Sequence, residues 1–313
     1  MKLFDPGLPF FKGNTHMHTT LSDGRMTPEE ACAEYAAHGY DFIVLTDHRR
    51  VGPTYRHGGM LVMSGAEYDY TFENEVLHVV AVLPDEGMAD VNCRQVPHGA
   101  LIERINAGGG AMILAHPAWS LNTTTFMLSL DGICAAEIFN TFSDRPWNAP
   151  RADSSLPLDV LACAGRPLPL VAADDSHRYA GEQCRSYTMV QAETCEPKAI
   201  IAALKAGKFY ASQGPRFEDV EVLEDRLIVH TSPVSIITFL SNLPWVGGRC
   251  RTGEGMTGSE YIIERKRGEK WVRVEIEDAE GRKAWLSPVT LGMDLPTESP
   301  SFLAMGQSPS LIF

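Results

Sequence analysis

Between residues 10 and 213 the chain alternates short apolar runs with stretches of helical texture. The runs are FIVLT (42–46), LVMSG (61–65), VVAVL (79–83), AMILA (111–115), AAEIF (135–139) and LPLVAA (168–173). Each is short and lacks strict alternation, which predicts parallel strands buried on both faces. The stretch TPEEACAEYAAHG predicts a helix with Thr27 as N-cap, Pro28 at its first position and Glu30 closing a capping box. Gly39 suits the left-handed turn that ends it. CEPKAIIAALKAG repeats this logic, with Pro197 near the start, Ile200, Ile201 and Leu204 on one face, and Gly207 at the end. HGALIERINAGGG (98–110) and LPLDVLACAG (156–165) are weaker helices of the same kind. Strand and helix in alternation predict an α/β unit built as a barrel.

The texture changes after Pro215. Apolar and polar positions alternate in WVRVEIED, and the glycine-bearing turns RKRGEK and DAEGRK separate such segments, which predicts β-hairpins. The expected organisation is a barrel over 1–214, a small β-sandwich over 215–292 and an extended Ser/Pro-rich tail over 293–313.

Composition narrows the class. The 313 residues are 44% hydrophobic and 21% charged, a globular balance, with a formal net charge of −13. An acidic chain lacks the basic footprint of a duplex-DNA binder. No run approaches the ~20 apolar residues of a membrane helix. The start, MKLFDPGLPF, carries Asp5 and two prolines where a secretory signal would be apolar, so a cytoplasmic protein is expected. The seven cysteines (Cys32, Cys93, Cys134, Cys163, Cys184, Cys195 and Cys250) form no CxxC pair and read as reduced, buried thiols.

The informative residues stand at the ends of the apolar runs. KGNT delivers His16 and His18, with Asp23 five residues later. FIVLT delivers Asp47 and His48, LVMSGA delivers Glu67, and VLHVVAV contains His78. AMILA delivers His116, and LPLVAA delivers Asp174, Asp175 and His177. In a parallel barrel the strand C-termini share one face, so these residues would converge. His-x-His at a strand end can aim both rings at one ion. Imidazole and carboxylate ligands suit Mn, Zn or Fe, and the six histidines with at least three carboxylates exceed what one tetrahedral ion needs. Two or three divalent ions are expected.

The ordered set His16-Met17-His18, Asp23, Thr46-Asp47-His48, Gly65-Ala66-Glu67, Leu77-His78, Ala115-His116-Pro117 and Asp175-Ser176-His177 resembles the polymerase-and-histidinol-phosphatase (PHP) superfamily of metal-dependent phosphoesterases. The resemblance spans about residues 10–213, and the region after 215 resembles the C-terminal domain of one PHP subgroup. It implies a distorted (βα)7 barrel followed by a small all-β sandwich-like domain. It also implies a first metal held by His16, His18, Glu67 and Asp175, a second by Glu67, His78 and His116, and a third by Asp23, His48 and His177. The expected activity is hydrolysis of a small phosphorylated metabolite or nucleotide by metal-activated hydroxide.

Asp47, His48 and His177 are the candidates for catalytic proton transfer, and Arg49 and Arg178 for holding the substrate phosphate, with Arg50 and Arg145 as further arginines beside strand ends. Glu137 and Asn140 end AAEIFN and either orient ligands or substrate or serve as ordinary structural hydrogen-bonding groups. Trp119, Phe142 and Trp147 offer rings for stacking or loop packing. His38, His57, His98 and His230 fall outside the pattern. Duplex nucleic acid and membrane are not expected partners, and the β-domain is the surface for a lid, a partner or a homo-oligomer. Three other functions share these residues: a hydrolase of non-phosphate esters, amides or carbamates, a non-catalytic metal-containing binding module, and a nuclease or proofreading domain acting on short single strands.

Overall fold

A computed structural model describes residues 1–88 and 95–292. The expected tail (293–313) and Cys93 lie outside the described residues. The strands are β1 (Phe10–Asn14), β2 (Phe42–Leu45), β3 (Tyr55–His57), β4 (Met60–Thr71), β5 (Val76–Val82), β6 (Ala111–Leu114), β7 (Ala135–Asn140) and β8 (Leu170–Ala173). They continue with β9 (Tyr187–Gln191), β10 (Phe209–Ser212), β11 (Phe217–Val222), β12 (Arg226–Ser241), β13 (Cys250–Ile262), β14 (Trp271–Glu277), β15 (Lys283–Trp285) and β16 (Val289–Thr290). The helices are α1 (Pro28–Ala37), α2 (His98–Ala107), α3 (Thr124–Leu128), α4 (Ser155–Cys163) and α5 (Pro197–Lys205).

Local chemistry accounts for the helices. Thr27 Oγ1 accepts from the Glu30 backbone N–H at 3.3 Å, and Glu30 accepts from the Thr27 N–H at 2.8 Å, so the capping box of α1 is closed. Gly39 ends that helix at φ +70°. In α5 Pro197 occupies the first turn, while Ile200, Ile201 and Leu204 are buried against the layer of Phe42, Val80, Ile113 and Phe209. Every position of β2, β6, β8 and β10 is buried, which is why those runs show no alternation.

The strands form one hydrogen-bonded network with the path β11-β12-β14-β15-β10-β9-β1-β2-β4-β5-β6-β7-β8. Pairings β1–β2, β2–β4, β6–β7 and β7–β8 are parallel. The ends of the β1-to-β8 stretch meet: Met17 and Ser176 form a parallel bridge beyond β1 and β8, and the Asp175 N–H donates to the His16 carbonyl at 2.9 Å. The expectation of uniformly parallel strands is corrected at β5, which runs antiparallel to both β4 and β6. Only residues 72–75 separate β4 from β5, too few for a crossover, and the Phe72 N–H closes a turn on the Glu75 carbonyl. β9 and β10 are likewise antiparallel to their neighbours.

After Pro215 antiparallel pairs follow one another, with turns at Gly268 and Gly281, both at φ +77°. This segment joins the earlier strands through β10–β15, where Ala211 faces Trp285. Trp285 stacks on Phe139 with ring centroids 5.5 Å apart. Arg273 of β14 is 1% exposed and makes a two-pronged ion pair with Asp159 of α4, at 2.6 and 2.8 Å. The six cysteines among the described residues are free, but Cys163 and Cys250 are exposed, which corrects the expectation of buried thiols throughout.

Asp159 balances a guanidinium that cannot reach water. Asp159→Asn should lower stability by up to roughly 3 kcal/mol, because the buried guanidinium then keeps only its longer contact with Glu275 at 3.5 Å. Arg273→Met, which removes the charge, should cost less. Chemical denaturation of the two variants checks this, and an equal or smaller loss for Asp159→Asn would contradict the pair's assigned role.

Candidate metal centre

The strand ends bring the nine expected ligands together in three groups: His16, His18, Glu67 and Asp175; Glu67, His78 and His116; and His18, Asp23, His48 and His177. Within each group one ligand atom per residue lies within 4.8 Å of the others. Glu67 belongs to two groups. His18 also belongs to two, and its place beside Asp23, His48 and His177 was not anticipated. His38, His57, His98 and His230 lie outside these three groups.

Local backbone explains the convergence. Alternation past β1 sends His16 and His18 to one side and the fully buried Met17 to the other, into the layer under α1. His48 bridges in parallel to Glu67 of β4. His78 lies near the start of β5, paired with Asp69. Because β5 is reversed, its beginning lies at the same edge as the ends of its parallel neighbours. His116 and Asp175 have φ of 29° and 54°, a region that costs a residue with a side chain of order 1–3 kcal/mol and clusters at functional sites.

The innermost group is fully out of water. His16 Nε2 stands 3.2 Å from His18 Nε2, 3.3 Å from Glu67 Oε2 and 3.2 Å from Asp175 Oδ1. His18 Nε2 is 3.1 Å from both carboxylate oxygens. Asp175 Oδ1 is buried and makes no hydrogen bond, and neither does His48 Nδ1. Four lone-pair atoms converging on one point, with orphaned acceptors beside them, is the donor set of a cation site. In the second group Glu67 Oε1 lies 2.7 Å from His78 Nδ1 and 3.3 Å from His116 Nε2. In the outer group Asp23 reaches His48 at 3.7 Å and His177 at 3.6 Å, and its side chain is 55% exposed.

The electrostatics arise from burial and proximity. Burial disfavours the charged ring of His18, but the Asp175 and Glu67 carboxylates 3.1 Å from its Nε2 outweigh it and raise the pKa to about 9. For His16 burial is likewise outweighed by Asp175, Glu137 and Glu67, and the pKa is well above the usual value. Burial pushes Glu67 and Asp175 up, yet the surrounding imidazoles hold both well below the usual carboxylate range. Burial lowers His48 and His177.

Other expected site residues surround this centre. Asp47 lies behind it: its Oδ1 accepts from the Thr19 N–H, the Ser22 N–H and Ser22 Oγ, and its Oδ2 from Thr19 Oγ1. It therefore fixes the loop that carries Asp23. Arg49 is tied to Asp69 by an ion pair. Arg178 is exposed, with its guanidinium 5.8 Å from the Phe142 ring centre. Phe142 stacks on His177 at 4.4 Å, and Trp119 meets His116 edge-on at 5.0 Å. These rings, with Ser143 and Asn148, wall a pocket of about 190 Å³ over the three groups.

Sequence reasoning missed Glu182. Its side chain is buried and accepts from the backbone N–H groups of His177, Arg178, Tyr179 and Ala180 at 2.5–3.3 Å, pinning the loop that presents His177. Asp174, beside the ligand Asp175, accepts from Tyr35 and from the backbone of Cys184, Arg185 and Ser186.

No family model matches the chain, and no curated protein matches it. Among solved structures, a two-domain protein from Bacteroides vulgatus containing a predicted PHP-like metal-dependent phosphoesterase aligns at a TM-score of 0.52 with 17% identity. The alignment covers 92% of this chain and 96% of that one. An amidohydrolase from Chromobacterium violaceum overlaps more loosely, at a TM-score of 0.40 and 15% identity, over 54% of this chain and 89% of that one. The chain thus has the mixed α/β fold of the two-domain PHP-like protein along nearly its whole length, in keeping with the resemblance seen in the sequence.

Proposed function

We propose that this protein is a metal-dependent phosphoesterase with a two- or three-ion centre, acting on a small phosphorylated metabolite or nucleotide. The observation that carries the reading is the convergence of His16 Nε2, His18 Nε2, Glu67 Oε2 and Asp175 Oδ1 within 3.1–3.3 Å contacts out of water. His16, His18, Glu67 and Asp175 would hold one ion, Glu67, His78 and His116 a second, and Asp23, His48 and His177 a third. Mn, Zn or Fe would each accept these ligands. The path from β1 to β8, with its ends bridged at Met17 and Ser176, supports reading residues 1–214 as a distorted barrel. The antiparallel strands over 215–292 are read as the β-domain.

Divalent ions bound there would supply hydroxide near neutral pH and offset the charge of the phosphoryl oxygens. The chain's own residues do the rest. Trp119 and Phe142 narrow the pocket and exclude water from its walls. Ser143 and Asn148 offer hydrogen-bond donors to the substrate. Arg178 at the rim meets the phosphate from outside. Burial lowers the proton affinity of His48 and His177, so where only two ions are bound and these rings are unligated, either can take up a proton as substrate charge develops. Asp47, already saturated, holds the 19–23 loop and moves no proton.

One observation favours a second reading. No lysine or arginine lines the pocket among the described residues, and Arg49 is engaged by Asp69. The same centre could attack an uncharged ester, amide or carbamate. Elemental analysis of the purified protein, coupled to a panel of phosphomonoesters, nucleotides and carboxylic esters, separates the two. Two to three ions per chain with phosphate release supports the first reading. Metal with release from the carboxylic esters alone supports the second. Absence of metal after reconstitution defeats both.

Glu67→Ala removes a ligand shared by two groups and should lower the content by at least one ion per chain. His230→Ala should leave it unchanged. Full occupancy in Glu67→Ala would refute the shared ligand.

The pH dependence has a definite sign. The proton on His18 in the metal-free fold is held from 6.5 up to about 9. That stabilising share is complete below the unfolded value and is lost as pH rises through the folded one. The metal-free protein should therefore lose several degrees of Tm between about pH 6.5 and pH 9, as expected for a change of a few kcal/mol. The Mn-loaded protein should not, because the ion replaces the proton. Melts with chelator and with metal across this range check it, and parallel curves would contradict the exchange.

A further inference from the structure

We propose that Glu137, which is not among the ligands, is the positioning residue that sets the geometry of the innermost ion site. It is fully buried in β7. Its Oε1 lies 2.7 Å from His16 Nδ1. Its Oε2 accepts from the backbone N–H of His116 at 2.9 Å and from Asn140 Nδ2 at 2.8 Å. Asn140 Nδ2 reaches on to Asp175 Oδ2 at 3.2 Å. One carboxylate thus fastens the ends of β1 and β6 directly and that of β8 through Asn140, and each of those ends presents a proposed ligand.

The backbone is shaped for this. In a regular strand Glu137 and Asn140, three positions apart, would face opposite sides of the sheet. The β7–β8 register shifts between Glu137 and Phe139, so that Glu137 pairs with Val171 while Phe139 pairs with Ala172. The extra residue at the bulge brings Glu137 and Asn140 to the same side, toward the centre. Phe139 is left to stack on Trp285.

The chemistry is directional. An ionised carboxylate only accepts hydrogen bonds, so each group aimed at Glu137 must bring a proton. Glu137 therefore keeps a proton on His16 Nδ1, which leaves Nε2, beside Glu67 and Asp175, as the atom that would bind an ion. A metal-ligating imidazole needs this tautomer, and a carboxylate behind it also raises its basicity. The same residue fixes the His116 backbone, which sits at a positive φ that does not hold itself. This inference rests on the proposed metal centre.

The test uses the full chain, stripped of metal, with Zn²⁺ alone as the probe. Glu137→Gln preserves size, but its amide nitrogen donates where Oε2 accepted, so it breaks either the His116 or the His16 contact. Its tightest Zn²⁺ site should weaken about 10- to 100-fold in chelator competition. ¹⁵N spectra of the histidine rings in the Zn²⁺-loaded wild type should show His16 protonated at Nδ1 and bound through Nε2, and in the variant a mixture of the two arrangements. Affinity within about two-fold of wild type in a folded variant would overturn the proposal. So would a Zn²⁺-loaded wild type in which His16 binds through Nδ1 and is protonated at Nε2, a measurement that stands even if the variant fails to fold. A wild-type chain that binds no Zn²⁺ would instead sink the metal centre itself, an outcome the wild-type titration separates from the other two.

Discussion

Two carboxylates, Glu67 and Asp175, are held out of water where, among the described residues, no lysine or arginine pairs with them. Isolated buried carboxylates are costly, and a fold tolerates them only with compensating charge and hydrogen bonds. Much of the surrounding structure answers that constraint. Six histidines stand against Glu67 or Asp175, three of them with raised proton affinity through those same carboxylates. His116 and Asp175 take up strained backbone to complete the ring. In the metal-free chain protons on His16 and His18 play the part that divalent ions play in the proposed enzyme.

A second ring of acids makes the first one rigid. Asp47 holds the loop before Asp23, Glu182 holds the loop after His177, Asp174 holds the segment around Ser186, and Glu137 joins strand ends. Each is saturated by several N–H or O–H donors, most of them backbone groups. This differs from the inner acids, whose neighbours are ring nitrogens. The distinction separates residues that keep their shape from residues that have spare lone pairs to give.

The nine clustered His, Asp and Glu residues were legible in the sequence because such residue types are rare at the ends of apolar runs. The capping box of α1 and the amphipathic face of α5 were legible for the same reason: each is a local pattern with a local cause. The reversal of β5 was not read, although the short FENE connection carried the signal. β9 and β10 were not singled out because TMV and FYAS are brief and flanked by polar residues. Glu182 was invisible for a different reason, and for Glu137 the sequence left ligand orientation and ordinary structural hydrogen bonding equally open. A carboxylate that caps a loop is spelled like any surface glutamate, and a bulge leaves no mark in the spacing. The bidentate partner of Arg273 lies 114 positions away and no periodicity links the two.

The three groups of ligands differ in depth. His16 and His18 are completely enclosed, whereas Asp23 in the outer group is 55% exposed and His48 is 23% exposed. On the proposed reading the ions would therefore exchange at unequal rates, the outermost fastest, because its ligands need the least local opening to release it. The working state of the protein would then be set by its loosest ion, and the activity of any sample would track the free metal it last met.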